Sequence, residues 1–536
     1  MRSNPCLGPL ASALRAPRSP RAPRSPRAPA PLRATAPPRA PALMRAALVA
    51  AACCAAAAAA AACNGHVDDG DPVVVSIDPA AGSARGGTVV TLTGTGFGEG
   101  ATVRFGALPA VEVTVVSPGT VIEARTPAAI AGVVDVTVQA PDGPAVVAAA
   151  GFTFQPLDVS FTDYTSTFPT DADSSRGSSL ADFDGDGDLD LAVAVRNAPN
   201  RLLLNDGAGN FTLAPDALPE TVETGDPMSP TAPLAEDTLE LTAGDLDGDG
   251  DDDLYVSNYS DQADRLYLNR GDATFEDASD LLPAVATSSH GATFADVDGD
   301  GDLDVLVAVN GQNRLVRNTS DPDYMVVSFE ADDAALPADA DNTIKLSAGD
   351  VDGDGDLDLL AANHQDGDTV RLYLNDGSGT FAFAPPGQVP AAAAGAREVL
   401  LADFSGDGAL DLLVLTVEQD RLYVNDGQGF FFDDTIRAMP YDMAYSSSAF
   451  VFDADLDGDL DVAIANNGLD NRLYLNDGTG LLTDWTVRMP KSLTHSMDVV
   501  GGDFDADGDV DLFFANDQGE QDSLYLMDST WKEDGR

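Results

Sequence analysis

Cysteine is absent from the chain after residue 63: all four, Cys6, Cys53, Cys54 and Cys63, stand in its first eighth. The rest must therefore fold without disulfides. Histidine is nearly as scarce. The four present (His66, His290, His364 and His495) fall in separate segments with no nucleophile motif beside them, which argues against an enzyme. Positive charge is the third deficit. The first 62 residues hold nine arginines and no acid, so beyond them 20 basic residues face all 88 acidic ones, a formal charge of −68. Such a region repels nucleic acid and anionic lipid, and needs cations to fold against its own repulsion. Nucleic acid is thereby excluded as a partner, and a membrane could be reached only through a lipid anchor.

At 536 residues the chain is too long for one ordinary core. Its 50 glycines, recurrent Asp-Gly turns and short apolar runs point to β structure rather than helices. Residues 1–43 form a Pro/Arg/Ala tract that cannot bury enough apolar surface to fold; it is expected to be disordered or untranslated, with Met44 the alternative start to Met1. Residues 44–63 read as a secretion signal, with a positive start, an alanine-rich middle and small residues at the end. The segment "AAACNGHVDDGD" resembles a bacterial lipoprotein cleavage site, which implies lipidation of Cys63 and a polar linker over 64–72. A plain cleaved signal or a retained membrane segment is the alternative. The remainder is expected to be exported, as an outer-membrane or cell-surface lipoprotein or a secreted protein.

Residues 73–156 contain seven short alternating runs between turns, the pattern of an antiparallel sandwich. The turn at 79–82, the pair Gly86-Gly87, the "GTGF" ending at Phe97 and the "FTF" at 152–154 resemble the IPT/TIG family of immunoglobulin-like domains. Some members of that family bind DNA. Here three arginines (Arg85, Arg104, Arg125) stand against six acids, which leaves a spacer as the expected role.

A nine-residue acidic loop then recurs seven times, beginning at Asp182, Asp245, Asp296, Asp350, Asp403, Asp453 and Asp503. Each copy follows a small-residue strand, precedes an apolar run, and is followed by "RLYLNDGxGxF" or a variant. Four strands per unit and seven units predict a seven-bladed β-propeller over 157–530. The last unit lacks a fourth strand, and residues 157–169 resemble the missing one, so the front of the domain is expected to complete the last blade.

In D-x-D-x-D-G-x-x-D, carboxylates at alternate positions can converge on one point if the chain curls, and glycine at position 6 permits the turn. The candidate ligands are Asp182, Asp184, Asp186, Asp188 and Asp190; Asp245, Asp247, Asp249, Asp251 and Asp253; Asp296, Asp298, Asp300, Asp302 and Asp304; Asp350, Asp352, Asp354, Asp356 and Asp358; Asp403, Ser405, Asp407, Ala409 and Asp411; Asp453, Asp455, Asp457, Asp459 and Asp461; and Asp503, Asp505, Asp507, Asp509 and Asp511. Position 7 would act through its carbonyl, which Ala409 retains. An all-oxygen set with several charges suits Ca2+ better than Mg2+ or zinc. Ser405 replaces a carboxylate, so the fifth site is expected to be the weakest. An EF-hand is excluded because position 12 is apolar (Val193, Val256, Val307) and the flanks read as strands.

These units resemble the FG-GAP/VCBS repeats of integrin α-subunit propellers and bacterial surface proteins. That resemblance implies up to seven calcium ions on one face and a ligand, a protein or a glycan, on the other. Tyr259 and His364, in loops of that opposite rim, are candidate contacts. The expected function is a non-enzymatic adhesion or ligand-binding protein stabilised by calcium. The alternative is a secreted propeller enzyme acting on a polysaccharide or other surface polymer, for which His290 and His495 on inner strands could face the central channel.

Overall fold

The computed structural model describes residues 72–527 except 141–143, 171–172, 220, 227–228, 234–235, 321–325, 339, 365–369 and 391–394. The expected tract, signal, Cys63 and almost all of the linker lie outside the described residues. Among those described, no helix is long and apolar enough to cross a membrane.

The first domain is a two-sheet sandwich. Val73–Asp78, Val89–Phe97, Gly119–Arg125 and Glu112–Ser117 form one sheet; Ala81–Ser83, Ala145–Gln155, Gly132–Gln139, Thr102–Phe105 and Leu108–Pro109 form the other. Alternation along the strands turns Leu92, Phe105, Ile122, Val136, Phe152 and Phe154 inward to a common core. Phe152 packs edge-to-face on both Phe105 and Phe154 at 5.1 Å.

Seven four-stranded antiparallel sheets follow. In blade 1 these are Ser175–Ala181, Asp190–Val195, Arg201–Asn205 and Phe211–Leu213, from inside to outside. The last blade takes its outer strand from the front of the domain: Phe161–Asp163 pairs antiparallel with Ser523–Met527. The inner strands touch in sequence, and the first meets the last, so the blades form a closed ring, a seven-bladed β-propeller.

The second strand of each blade, such as Asp190–Val195 or Asp411–Thr416, is buried along its whole length. Neighbouring blades cover both of its faces, which explains a continuous apolar run where a half-exposed strand would alternate. The core is accordingly split into seven clusters, one between each pair of neighbours. Leu191 and Leu203 of blade 1, for example, pack on Phe504 and Phe513 of blade 7.

One expectation needs correction. The acidic loop does not end before the second strand, because its last aspartate is that strand's first residue in every blade, as at Asp190 and Asp253. The long connection between blades 1 and 2 is not all loop. It contains a hairpin, Thr221–Asp226 with Ser229–Pro233, and ends within the inner strand Thr238–Gly244.

Candidate functional site

Each acidic loop is organised by its first aspartate. Asp182 accepts backbone N–H bonds from Gly185, Asp186 and Gly187 at 2.9–3.0 Å, and Asp245 and Asp296 repeat the pattern. This curl requires left-handed backbone at position 6, where Gly187 has φ 99° and Gly408 φ 91°. Position 4 is also left-handed, and there Leu456 (φ 58°) and Ala506 (φ 56°) adopt it without being glycine.

The last aspartate has a different task. Asp190 accepts the Phe183 N–H at 3.0 Å with one oxygen and the Asn205 N–H at 2.8 Å with the other. It thereby fastens the loop to the turn that follows the third strand. The position-5 side chain caps the next turn, as when Asp186 accepts the Asp188 N–H at 3.0 Å. The position-7 side chain lies over a glycine of the neighbouring turn: a Cβ on Gly207 would stand 2.3 Å from Asp188 Oδ2.

Carboxylate oxygens at positions 1, 3 and 9 come within 4.8 Å of one another in loops 1, 2, 4 and 6; in loop 3 the converging set is Asp296, Asp298 and Asp300. At position 3, Asp298 Oδ1, Asp352 Oδ1, Ser405 Oγ and Asp455 Oδ1 are buried without a hydrogen-bond partner. Buried oxygens of this kind are costly unless something electropositive meets them. Burial and then the charge of neighbouring aspartates push Asp184, Asp247 and Asp505 above the usual carboxylate range. Burial raises Asp461 to about 8 and Asp511 to about 7. The donor set, all oxygen and strongly self-repelling, therefore fits a hard cation, with positions 1, 3 and 9 as the residues that would hold it.

Two loops hold a cation that sequence reasoning missed. In the third strand of blade 3, Arg317 stands where the other blades carry Leu or Val. Its Nη1 donates to Asp298 Oδ2 at 2.8 Å and Asp304 Oδ2 at 3.4 Å. In the seventh loop, Arg85 of the sandwich domain reaches Asp507 at 2.9 Å and Asp509 at 2.6 Å. The sandwich also donates from Ala131 N–H to the Leu456 carbonyl at 2.8 Å. It thus docks on the acidic-loop side of blades 6 and 7.

The arginines that open the third strands face carboxylates: Arg201 meets Asp522 at 2.5 Å, Arg265 meets Glu236 at 2.7 Å and Arg472 meets Asp442 at 2.6 Å. At the other end of the same strands an unforeseen latch appears. Asn205 Nδ2 donates to the Phe504 carbonyl at 2.9 Å and Asn269 Nδ2 to the Phe183 carbonyl at 3.0 Å. Asn318, Asn375, Asn425 and Asn476 do the same at 2.8 Å. Each ties its blade to the acidic loop of the blade before it. The "LND" motif reads locally as a turn, and its across-blade partner becomes visible only in the ring.

At the opposite end of the inner strands lies a cavity of about 290 Å³. Tyr259, His290 and His364 all line it, together with Arg176, Lys345 and Arg397. His495 is not among its lining residues; its Nδ1 lies 3.1 Å from Glu520 Oε1.

The FG-GAP-like repeat family matches in six ranges that span 182–237 and then, overlapping, 245–514, more than half of the chain. The IPT/TIG domain family matches residues 72–155. Human cartilage acidic protein 1 is 27% identical over 285 residues, covering 46% of this chain and 41% of that protein. The Mus musculus protein is 26% identical over 285 residues, with 46% and 42% covered. The chain thus spans about two fifths of the length of these curated relatives. Among solved structures, an Agrocybe aegerita lectin described as recognising non-reducing terminal N-acetylglucosamine aligns over 77% of this chain and 99% of its own, at 17% identity and a TM-score of 0.42. A Bacteroides thetaiotaomicron protein of unknown function aligns over 87% and 100%, at 10% identity and a TM-score of 0.43. Neither likeness carries an argument about what this chain binds.

Proposed function

The chain belongs to the FG-GAP-like repeat family, and from that premise we propose that it is an exported, calcium-stabilised binding protein whose ligand, a protein or a glycan, engages the face opposite the acidic loops. The observation that carries the calcium reading is the buried position-3 oxygen of Asp298, Asp352 and Asp455, each left without a hydrogen-bond partner inside a converging carboxylate set. Ca2+ would be held by the aspartates at positions 1, 3 and 9 and would cancel repulsion in the loops. The sandwich domain occupies the acidic-loop side, which supports recognition on the other. Export and lipidation at Cys63 rest on the signal-like segment, and Cys63→Ala abolishing incorporation of a labelled fatty acid tests the anchor. A screen of the calcium-loaded protein against glycan and surface-protein arrays tests the binding role: saturable binding abolished by substitutions in the loops around Tyr259 and His364 supports it, and binding unaffected by them contradicts it.

A second reading, an enzyme acting on a surface polymer, has one observation in its favour. The Tyr259 and His290 rings pack with centroids 5.0 Å apart and planes tilted by 42°, and both line the same cavity as His364 and Arg397. Turnover of a polysaccharide panel that Tyr259→Phe abolishes would establish it.

A further inference from the structure

All seven inner strands carry an irregularity near their start. In six of them the register to the second strand slips between the first and third residues, as at Thr238/Glu240, Thr343/Lys345 and Ala396/Glu398, and in blade 1 it slips between Ser175 and Ser178. Such a bulge re-aims side chains. Consecutive residues, Leu239 with Glu240 and Ile344 with Lys345, accordingly both line the channel cavity. The result is a floor and a rim built from neighbouring positions.

The floor is satisfied from within. Lys345 pairs with Glu240. Asp498 accepts from Ser178 N–H and Oγ at 2.7 Å with one oxygen and from Ser448 Oγ at 2.7 Å with the other. Glu398 accepts the Ala449 N–H at 2.7 Å.

The rim is not. Arg176 has Asp517 at 2.9 Å and Arg196 has Asp237 at 2.7 Å, but among the described residues Arg397 has no carboxylate partner. Its guanidinium lies over the Tyr445 ring at 5.3 Å, and its Nε is buried with no hydrogen-bond partner. Beside it, His290 Nδ1 is likewise buried and unpartnered. Burial and then the charge of Arg397 hold His290 down at about 4, so near neutral pH it offers hydrogen bonding without charge. In a chain with three acids for each base, an arginine that meets no carboxylate among the described residues while lining a cavity is suited to an acid supplied by a ligand.

We propose that the channel mouth binds a small monocarboxylate of monosaccharide size, its carboxylate on Arg397 and its body between Tyr259, His290 and the serines Ser447 and Ser448. A cavity of about 290 Å³ is at the small end of ligand sites, which excludes a polymer chain except at its terminus. The floor acids Glu240 and Asp498 favour one negative charge over two, so inorganic phosphate is the weaker fit. This inference rests on the reading that recognition occurs opposite the acidic loops, and it adds a ligand class to it.

Calorimetric titration of the calcium-loaded protein with D-glucuronate tests the inference, with D-glucose and inorganic phosphate as comparisons. Saturable glucuronate binding is expected, with glucose and phosphate each weaker by about tenfold or more, since the charge-assisted fork to a planar carboxylate is lost. Arg397→Gln should lower glucuronate affinity by a similar factor with an unchanged melting temperature; if that variant does not fold, His290→Gln should still weaken binding several-fold. No saturable binding at millimolar glucuronate, equal affinity for glucose, tighter binding of phosphate, or undiminished binding by the folded variants would each overturn the inference. Binding of another ligand on the same face, insensitive to Arg397→Gln, would overturn it while leaving the broader binding reading intact.

Discussion

At the scale of single residues the acidic loop divides its labour in a way that counting carboxylates does not reveal. Position 1 curls the backbone, position 9 fastens it to the next turn, position 5 caps the bend, and position 3 in the third to sixth loops keeps a buried oxygen without a hydrogen-bond partner. The spacing in the sequence announced a cation site but could not rank its members, because hydrogen bonding to backbone depends on the fold. Left-handed backbone at Ala506 costs about 1 kcal/mol relative to glycine. Ala506→Gly should therefore raise stability by up to about 1 kcal/mol in denaturant unfolding, less the entropy that glycine adds to the unfolded chain. The buried aspartates also set a pH dependence. Asp461 is raised to about 8 and Asp511 to about 7 by burial, from about 3.9 in an unfolded chain. A group raised on folding contributes stability below its unfolded pKa and loses it as pH rises through its folded one. In chelator the melting temperature should accordingly fall from pH 5 to pH 8. With calcium, which would hold these groups ionised and paired, the fall should shrink or vanish.

Strands and loops were the most legible level. The repeated unit, its four strands and the tight turns follow from alternation, glycine and Asn-Asp-Gly signals within about 50 residues. Features set by the assembled fold rather than by local pattern were not legible: the asparagine latches between blades, the bulges that line the channel, and the arginines at the third and seventh loops. Arg317 is the clearest case, since "RLVRN" differs from "RLYLN" by substitutions that look conservative of a strand. Its guanidinium bonds Asp298 and Asp304 and so would compete with a metal for positions 3 and 9. Arg317→Leu should increase the affinity of the third loop for calcium by tenfold or more, about 1.4 kcal/mol, read by calorimetric titration against the parent protein. No change would mean that the arginine lies outside the ligand sphere. The fifth loop, which lacks a carboxylate at Ser405, should be unaffected by that substitution.

For the whole molecule, closure is the organising fact. Phe161 belongs to a strand at the front of the propeller, yet it packs in the cluster between the last two blades with Leu512, Phe514 and Tyr525. Removing it should open the ring's seam: Phe161→Ala is expected to destabilise by about 3 kcal/mol, the usual range for a buried phenylalanine, and to do so in one cooperative transition if the blades melt together. Closure also concentrates charge. A formal −68 beyond residue 62 is gathered heavily in seven loops on one side, so cations held in those loops would be coupled energetically to closure of the ring. The channel on the other side was only half legible. Tyr259 and His364 could be placed on that rim from the loop order, whereas Arg397 and the polar floor lie on inner strands whose bulged register no alternation pattern discloses.

Thermal unfolding near pH 7.5 with saturating calcium and then with excess chelator tests the central claim most directly. The account predicts a fall in melting temperature of well over 10 °C on chelation, fully restored by calcium and not by magnesium, because several linked sites each contribute binding energy to the folded state. A melting curve indifferent to chelator would contradict it.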